Sequence, residues 1–450
     1  MSDENITVAL DRIRAALETD RIEDAVNILL ELHPADQAEI FYKLEESEQF
    51  KLLPHLDIAS TADLFDKMEE DKVLDTLEVL SPERLADVLD EMEPDEAADL
   101  LGDLPPEQAS EALAAMQDAE EVIPLLGYPD ETAGGLMTTS YIALRRQTSA
   151  EDAIRFLRDV SPEIDVPYYL YVIDRAKRLV GVVGLRELVV SRPETPIVDI
   201  MDHEVIYVTT GTDQEDVARV MSRYDLAAVP VVDNQMRLFG VITHDDIVDV
   251  LEEEATEDIY RLGNVTDSDL EPESPVFEHL KGRLPWLFLN TFTALFASWV
   301  ITNFESLIAQ VAVLAAFQSV VAGLGGNSGS QTVVMIVRSM ALGKMDSRRL
   351  WKVLSRQMAV GLLQGVTVGL VVGVGVALWR GNPFLGVVLG LAMVGNMFVA
   401  AVIGTLVPFL LKAFGKDPAL ASSVLVTAVT DSGGFFIFLG LASLFLSRIQ

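Results

Sequence analysis

The chain has 450 residues, half of them hydrophobic, and its 70 acids against 33 bases give a net charge of −37 at neutral pH. It contains no cysteine, which excludes disulfides, thiolate metal sites and cysteine nucleophiles. The charge is uneven, because residues 1–284 carry a net charge of −43 and residues 285–450 a net charge of +6. We therefore predict a soluble acidic front, which repels nucleic acid and attracts cations, joined to an apolar back.

A twelve-residue repeat dominates the front of the chain. PERLADVLDEM (82–92), PDEAADLLGDL (94–104) and PEQASEALAAM (106–116) each begin with proline, and PADQAEIFYKL (34–44) is an earlier copy. Proline at the first helical position and apolar residues at helical spacing predict short helices with one apolar face. Such helices must stack, so we predict an all-α superhelical domain over residues 1–130. Its acids fit either a solvated helix surface or a surface for divalent cations.

Residues 138–250 read as two copies of one βαββα unit. The helix and strand segments lie at 148–160, 168–174 and 178–188 in the first copy, and at 212–224, 227–233 and 237–251 in the second. Thr148 and Thr212 are placed to cap the two helices, and acids follow each of them in the first turn. The tandem unit resembles a pair of CBS domains, which are α/β regulatory modules, over residues 131–252.

The second copy carries GVITHDD, in which Gly240, Thr243 and Asp246 match the G-x-x-[ST]-x-x-D pattern that binds adenosine ribose in CBS domains. The resemblance implies ATP as a regulatory ligand. The first copy has Gly184 and Glu187 where the second has its threonine and aspartate, which weakens a nucleotide site there. The alternative is that these residues are only turn glycines and helix caps.

Five apolar stretches follow residue 284, at roughly 285–303, 307–337, 357–379, 384–411 and 419–447. Each reaches or approaches the roughly 20 residues that a membrane-spanning helix needs. The second contains GLGGNSGSQ (323–331), where we expect the span to bend or break. Six bases lie in the loop at 338–356, so the positive-inside rule places the soluble front in the cytoplasm. Five spans then leave the C-terminus outside the cell membrane.

Asp431 is the one acid deep within a span. A carboxylate at the bilayer centre costs about 2.5–3.5 kcal/mol on insertion scales, so it normally pairs with another group or lines a polar path. No base lies inside a span to pair with it. Its neighbours offer oxygens or close helix approach: Thr427, Thr430, Ser432, Gly433 and Gly434. This favours a cation pathway over a structural carboxylate.

Several stretches resemble the MgtE family of magnesium channels, and the resemblance covers essentially the whole chain. The stretches are ETAGGLMT (131–138), EATEDIYRLG (254–263), GLGGNSGSQTVVMIVRSMALG (323–343) and DPALASSVLVTAVTDSGGFFIFLGLA (417–442). The resemblance implies a homodimeric Mg²⁺-selective channel in which spans two and five line the pore. Asp431 of each subunit would hold hydrated Mg²⁺.

The same resemblance implies that cytosolic Mg²⁺ closes the pore by binding regulatory acids. These carry over to Asp63, Asp95, Asp99, Asp225, Asp246, Asp249, Glu254, Glu257 and Asp258. Residues 253–284 would form a connecting plug helix, and residues 285–450 the transmembrane pore domain. One departure is Ser423-Val424, where the family usually has Asn-Pro or Gly-Pro.

Two other classes of protein stay open at this point. One is a cation-coupled secondary transporter that uses Asp431 as its coupling site, and the other is a membrane receptor whose acidic domains bind a protein partner. An enzyme is not expected, because no nucleophile motif occurs and the histidines lack metal-ligand spacing. These are His33, His55, His203, His244 and His279.

Overall fold

The computed structural model describes residues 3–68, 70–77, 80–160, 169–267, 270, 272, 274–345, 349–420 and 422–449. The chain divides into two compact units, Met1–Val250 and Leu251–Gln450. The first unit contains both the helical and the CBS-like segments, which the sequence had suggested as separate domains.

In the described part of the first unit, ten short helices come first. They are α1 (Asp3–Glu18), α2 (Ile22–Leu30), α3 (Pro34–Lys43), α4 (Glu46–Leu52), α5 (Ile58–Asp66), α6 (Glu70–Leu77), α7 (Pro82–Glu91), α8 (Pro94–Asp103), α9 (Pro106–Ala115) and α10 (Ala119–Val122), with a 3-10 turn at Leu53–His55. The four predicted repeat helices are confirmed, each with proline in its first turn. Their buried faces join one apolar cluster that also includes Met137 and Val229 of the CBS-like segment.

Two three-stranded sheets follow, one from each βαββα copy. The first copy contains β1 (Ala143–Arg145), α11 (Ala150–Val160), β2 (Tyr169–Ile173), β3 (Leu179–Gly184) and α12 (Leu185–Val190). The second contains β4 (Val208–Thr209), α13 (Gln214–Tyr224), β5 (Ala228–Val232), β6 (Leu238–Thr243) and α14 (His244–Leu262), and a 3-10 turn at Ile197–Asp199 separates the copies. In each sheet the first strand is parallel to the second and the second antiparallel to the third. The tandem repeat is confirmed; residue 168 of its predicted second strand lies outside the described residues.

The predicted helix caps are wrong by one residue. Ser149 Oγ accepts from the backbone N–H of Asp152 at 3.1 Å, and the Asp213 carboxylate accepts from that of Glu215 at 3.0 Å. Thr212 is engaged elsewhere, since its hydroxyl accepts from the backbone N–H of Thr209 at 3.1 Å. The hydroxyl therefore holds the turn before α13, and the next residue caps the helix.

The described residues of the second unit form seven further helices. They are α15 (Val276–Thr302), α16 (Glu305–Gln310), α17 (Val313–Ala341), α18 (Leu350–Arg380), α19 (Pro383–Ala413), α20 (Ser422–Leu444) and α21 (Leu446–Ile449). Five of these, α15, α17, α18, α19 and α20, are long and apolar enough to cross a membrane, as predicted. Glycines on every fourth residue of α18 let it approach α19 closely. A methyl group added to Gly369 would lie 2.6 Å from the carbonyl oxygen of Gly390.

Two expectations for this unit are wrong. The second span does not break at its glycine-rich run, because α17 continues from Val313 to Ala341. A bilayer offers no water to an opened backbone, so a continuous helix is the way to satisfy these peptide groups. Residues 253–284 also do not form one connecting helix. Residues 251–262 continue α14, and α15 begins at Val276 and runs through Pro285.

Candidate ion pathway and regulatory carboxylates

Asp431 lies near the middle of α20 and is half-buried. Among the described residues it has neither an ion pair nor a hydrogen bond. The adjacent Thr430 is fully buried, and its hydroxyl donates to the carbonyl oxygen of Thr427 at 3.1 Å. A carboxylate without a partner at this depth is costly unless water or a cation reaches it.

The glycine-rich run of α17 packs against α20 next to this carboxylate. A methyl group added to Gly329 would lie 2.4 Å from Cγ1 of Val426 and 3.7 Å from Cγ2 of Thr430. One added to Gly326 would lie 3.9 Å from Oγ1 of Thr430. The small residues therefore allow the two helices to approach closely on the side of α20 that carries Thr430.

Asn396 of α19 is a polar residue that the sequence analysis missed. It is fully buried, and its Nδ2 donates to the carbonyl oxygen of Val321 on α17 at 2.8 Å. Its Oδ1 is buried without a hydrogen-bond partner among the described residues. Methyl groups added to Gly325 of α17 or Gly434 of α20 would lie 2.0 and 2.6 Å from this Nδ2. The amide of Asn396 thus occupies the space where three spans meet. The signal available in the sequence was a lone asparagine inside an apolar span.

The polar residues of the glycine-rich run divide between two faces of α17. Ser328 is buried, and its hydroxyl donates to Oε1 of Gln364 on α18 at 3.1 Å. Asn327 and Gln331 are exposed and lie one turn apart on the same face of the helix. Amide side chains on a membrane helix need a polar cavity or another protein surface, because lipid cannot hydrogen-bond them.

In the first unit, two of the predicted regulatory carboxylates share one neighbourhood. Asp95 of α8 is only 7% exposed, and its Oδ1 lacks a hydrogen-bond partner among the described residues. Burial raises the pKa of Asp95 well above its ordinary value, and the negative charge of Asp246 on α14 raises it further. Burial raises the pKa of Asp246 as well. The buried Asp95 and the half-buried Asp246 therefore repel each other, and carboxylate oxygens are the ligands that Mg²⁺ prefers.

Asp246 also caps α14. Its Oδ2 accepts from the backbone N–H of Thr243 at 3.0 Å and from the Thr243 hydroxyl at 2.9 Å. Gly240 is required for packing, because a methyl group there would lie 2.7 Å from the carbonyl oxygen of Thr138. The residues of the predicted nucleotide motif therefore have structural uses in this fold.

The other predicted regulatory residues are dispersed. Asp63, Asp225 and Asp249 are exposed, and Asp225 ends α13 in the left-handed conformation (φ 52°, ψ 47°). Asp99, Glu254, Glu257 and Asp258 are half-buried, and Glu257 pairs with Arg261 one turn later. The described residues contain no group of three or more His, Asp or Glu side chains placed to hold a metal ion. The structure therefore brings together Asp95 and Asp246, and the remaining assignments stay predictions.

The last turn of α14 contacts the start of α20. Arg261 donates to Oδ2 of Asp417 at 2.5 Å, and the Ser423 hydroxyl donates to Oδ1 of Asn264 at 3.0 Å. Leu262 packs on a cluster that includes Ala419 and Val426. The sequence departure at Ser423 thus supplies a hydrogen bond to the segment that follows α14.

Three family models match successive parts of the chain. The MgtE intracellular N domain matches residues 32–131, CBS domains match 133–193 and 197–253, and the MgtE divalent cation transporter matches 318–441. The magnesium transporter MgtE of Thermus thermophilus is 41% identical over 331 residues, which cover 73% of each chain. That of Enterococcus faecalis is 36% identical over 326 residues, which cover 72% of each chain.

Two solved structures are similar to the front of the chain. The crystal structure of the soluble part of a magnesium transporter has a TM-score of 0.51 and 35% identity, covering 56% of this chain and 99% of that one. The crystal structure of the cytosolic domain of the Mg²⁺ channel MgtE in complex with ATP also has a TM-score of 0.51 and 35% identity. It covers 54% of this chain and 99% of that one.

Proposed function

Because this chain belongs to the MgtE family of divalent cation transporters, we propose that it is a Mg²⁺-selective channel whose ion path passes Asp431. Its five long apolar helices make it a multi-pass membrane protein. The observation that carries the proposal is Asp431 itself, half-buried near the middle of a spanning helix without a partner among the described residues. An unpaired carboxylate within a membrane span typically marks a cation pathway.

The chemistry near Asp431 suits Mg²⁺ that keeps its water. Mg²⁺ sheds water reluctantly and is usually held through one or two carboxylates with several waters retained. The residues beside Asp431 on α20 are threonine, serine and glycine, so one carboxylate per chain is available in this span. The carboxylate would accept hydrogen bonds from the water shell, and the carbonyl and hydroxyl oxygens of neighbouring residues would support that shell.

The channel would be a homodimer with its path between the two copies. Asn327 and Gln331 lie exposed on α17, where a single chain in a bilayer would present their amides to lipid. A second copy that covers this face would shelter the amides and bring two Asp431 carboxylates to one path. Two carboxylates facing one hydrated dication also balance its charge.

Cytosolic Mg²⁺ would close the channel by binding at Asp95 and Asp246. Their mutual repulsion disfavours the compact arrangement in which Asp95 is buried beside Asp246, and a bound dication would remove that repulsion. A ligand shifts a two-state equilibrium toward the state that binds it more tightly, so Mg²⁺ would favour the compact state. Asp63, Asp99, Asp225, Asp249, Glu254, Glu257 and Asp258 are proposed as further regulatory ligands.

The end of α14 would carry this signal to the pore helix. Arg261 bonds to Asp417 just before α20, and Asn264 bonds to Ser423 in its first turn. Movement of this segment would therefore pull on the helix that carries Asp431. In this role residues 251–275 replace the single plug helix expected at 253–284, and the pore helices follow from Val276.

ATP is proposed as a second regulatory ligand, at Gly240, Thr243 and Asp246. The support is the motif and the similarity to a cytosolic domain that is described in complex with ATP. Because Asp246 would serve both ligands, ATP and Mg²⁺ would influence each other's binding. We also propose that the soluble front lies in the cytoplasm and the C-terminus outside, since the basic loops would then follow the positive-inside rule.

The direct test is Mg²⁺ influx into liposomes that contain the purified protein, followed with a Mg²⁺-sensitive dye. D431N keeps the size of the side chain and removes its charge, and we expect it to abolish influx. E305Q removes an exposed acid outside the spans and should transport like the parent. Full influx through D431N would refute the pathway. Influx that depends on an imposed pH gradient would favour the cation-coupled transporter instead.

A further inference from the structure

An open groove with a volume of about 390 Å³ lies at one end of the first CBS-like sheet. Its lining residues are Arg145, Arg146, Gln147, Ile173, Asp174, Arg175 and Arg178. Four arginines and one aspartate give this small surface a net charge of +3, although the chain as a whole carries −37. We call it the arginine groove.

One arginine of the groove has a structural use. Arg178 Nε donates to Oδ2 of Asp174 at 2.9 Å, and the Asp174 Oδ1 accepts from the backbone N–H groups of Ala176 and Arg178. The second copy builds the same turn, because Arg237 Nε donates to Oδ2 of Asp233 at 2.7 Å. The aspartate–arginine pair therefore belongs to the turn of this fold in both copies.

The second copy has no arginine at the positions of the other three. The sheet registers pair Arg145 with Ile173 and Thr209 with Val232, which makes Arg145 and Thr209 equivalent. By the same alignment, Arg146 corresponds to Thr210, and Arg175 corresponds to Asn234. The second copy thus forms the same strand end and turn with neutral residues. The positive charges of Arg145, Arg146 and Arg175 are therefore not explained by the strand end and turn that both copies share.

These three guanidinium groups have no carboxylate partner in the part of the chain that the structure describes. Arg145 donates to the carbonyl oxygen of Asp174, and the Nε of Arg146 is buried without a hydrogen-bond partner among the described residues. Like charges held together repel unless an anion balances them. An acidic protein has abundant carboxylates for that purpose, yet the groove holds only the one already bonded to Arg178.

We propose that the arginine groove is a binding site for a polyphosphate group, carried either by a free polyphosphate or by a nucleoside triphosphate. Guanidinium forks match phosphate oxygens in pairs, and three or four of them suit a chain of linked phosphates better than a single one. The site goes beyond the proposed channel function. It is distinct from the nucleotide motif at Gly240, Thr243 and Asp246, none of which lines the groove.

The test is calorimetric titration of the full-length protein in detergent with sodium tripolyphosphate, in a buffer free of divalent cations. R145T/R146T/R175N gives the first copy the residues that the second copy uses at the same places. R158Q/R192Q/R223Q removes three exposed arginines elsewhere in the same unit and matches its change in net charge. We expect the first triple variant to bind at least about tenfold more weakly and the control within about twofold of the parent.

Circular dichroism melting shows whether the first triple variant is folded. If it is not, R175N alone tests the same site, and its affinity for tripolyphosphate should fall by about threefold or more. Equal affinity of the groove variant and the parent would overturn the proposal, as would an equal loss in the control triple variant. ATP and tripolyphosphate should compete for the groove.

Discussion

Replacing Asp95 by asparagine should remove the response of the soluble unit to Mg²⁺. Asp95 is 7% exposed and lies close enough to Asp246 for that charge to raise its pKa. A ligand that binds only the folded state stabilises it by about 2.7 kcal/mol at one hundred times its Kd. Local opening of α8, whose Ala97, Leu100 and Leu101 are buried, should then become about one hundredfold rarer in the parent.

Hydrogen–deuterium exchange of the α8 amides measures this opening directly. Tryptophan fluorescence would not report the opening of α8, because all four tryptophans follow residue 284. We expect exchange in the parent to slow by about one hundredfold at saturating Mg²⁺, and exchange in D95N to slow by less than about threefold. Without Mg²⁺, D95N should exchange more slowly than the parent, because the repulsion with Asp246 is gone. D87N, on an exposed position of α7, is the matched control and should respond like the parent. A full Mg²⁺ response in D95N would refute Asp95 and Asp246 as the regulatory site.

Three further predictions concern pH, helix packing and the end of α14. Burial raises the pKa of Asp95 and Asp246, so the folded state binds protons that the unfolded chain releases. The stability of the Mg²⁺-free protein should therefore rise as pH falls from 7 toward about 4. Thermal melts in which D95N/D246N shows the same rise would contradict this. G434A should destabilise the spans by about 1–3 kcal/mol in unfolding followed by tryptophan fluorescence, because its methyl group would lie 2.6 Å from Asn396 Nδ2. G440A should not destabilise them, since nothing lies within 4 Å of a methyl group added at that position. R261Q should raise Mg²⁺ influx into liposomes by about fivefold when Mg²⁺ is high on the cytoplasmic side, because a partly exposed ion pair contributes about 1 kcal/mol to the closed state. K281Q is the control variant. Unchanged influx in R261Q would show that Arg261 has no part in gating.

The repeats and spans could be predicted because their signals are local. Proline at 34, 82, 94 and 106 marks the start of a helix whatever lies around it, and each one does so in the structure. The five spans follow from length and hydropathy alone. The caps at Ser149 and Asp213 were misassigned by one residue, since the choice depends on which side chain the preceding turn engages.

The parts that could not be predicted depend on contacts between distant segments. GLGGNSGSQ was expected to bend or break the span, but α17 does not break there, and glycines of this run pack on Val426 and Thr430 of α20. The role of Asn396 could not be predicted, because its place between Gly325 of α17 and Gly434 of α20 depends on how three distant segments pack. Composition likewise shows many acids but not that Asp95 and Asp246 are the two whose charges meet.

The most direct test of the account is the electrical current through the protein in a planar bilayer with Mg²⁺ as the only permeant cation. A channel that conducts Mg²⁺ past Asp431 should give currents that reverse at the Mg²⁺ equilibrium potential whatever the pH gradient, and D431N should give none. Currents in D431N equal to those of the parent, or a reversal potential that moves with the pH gradient, would contradict it.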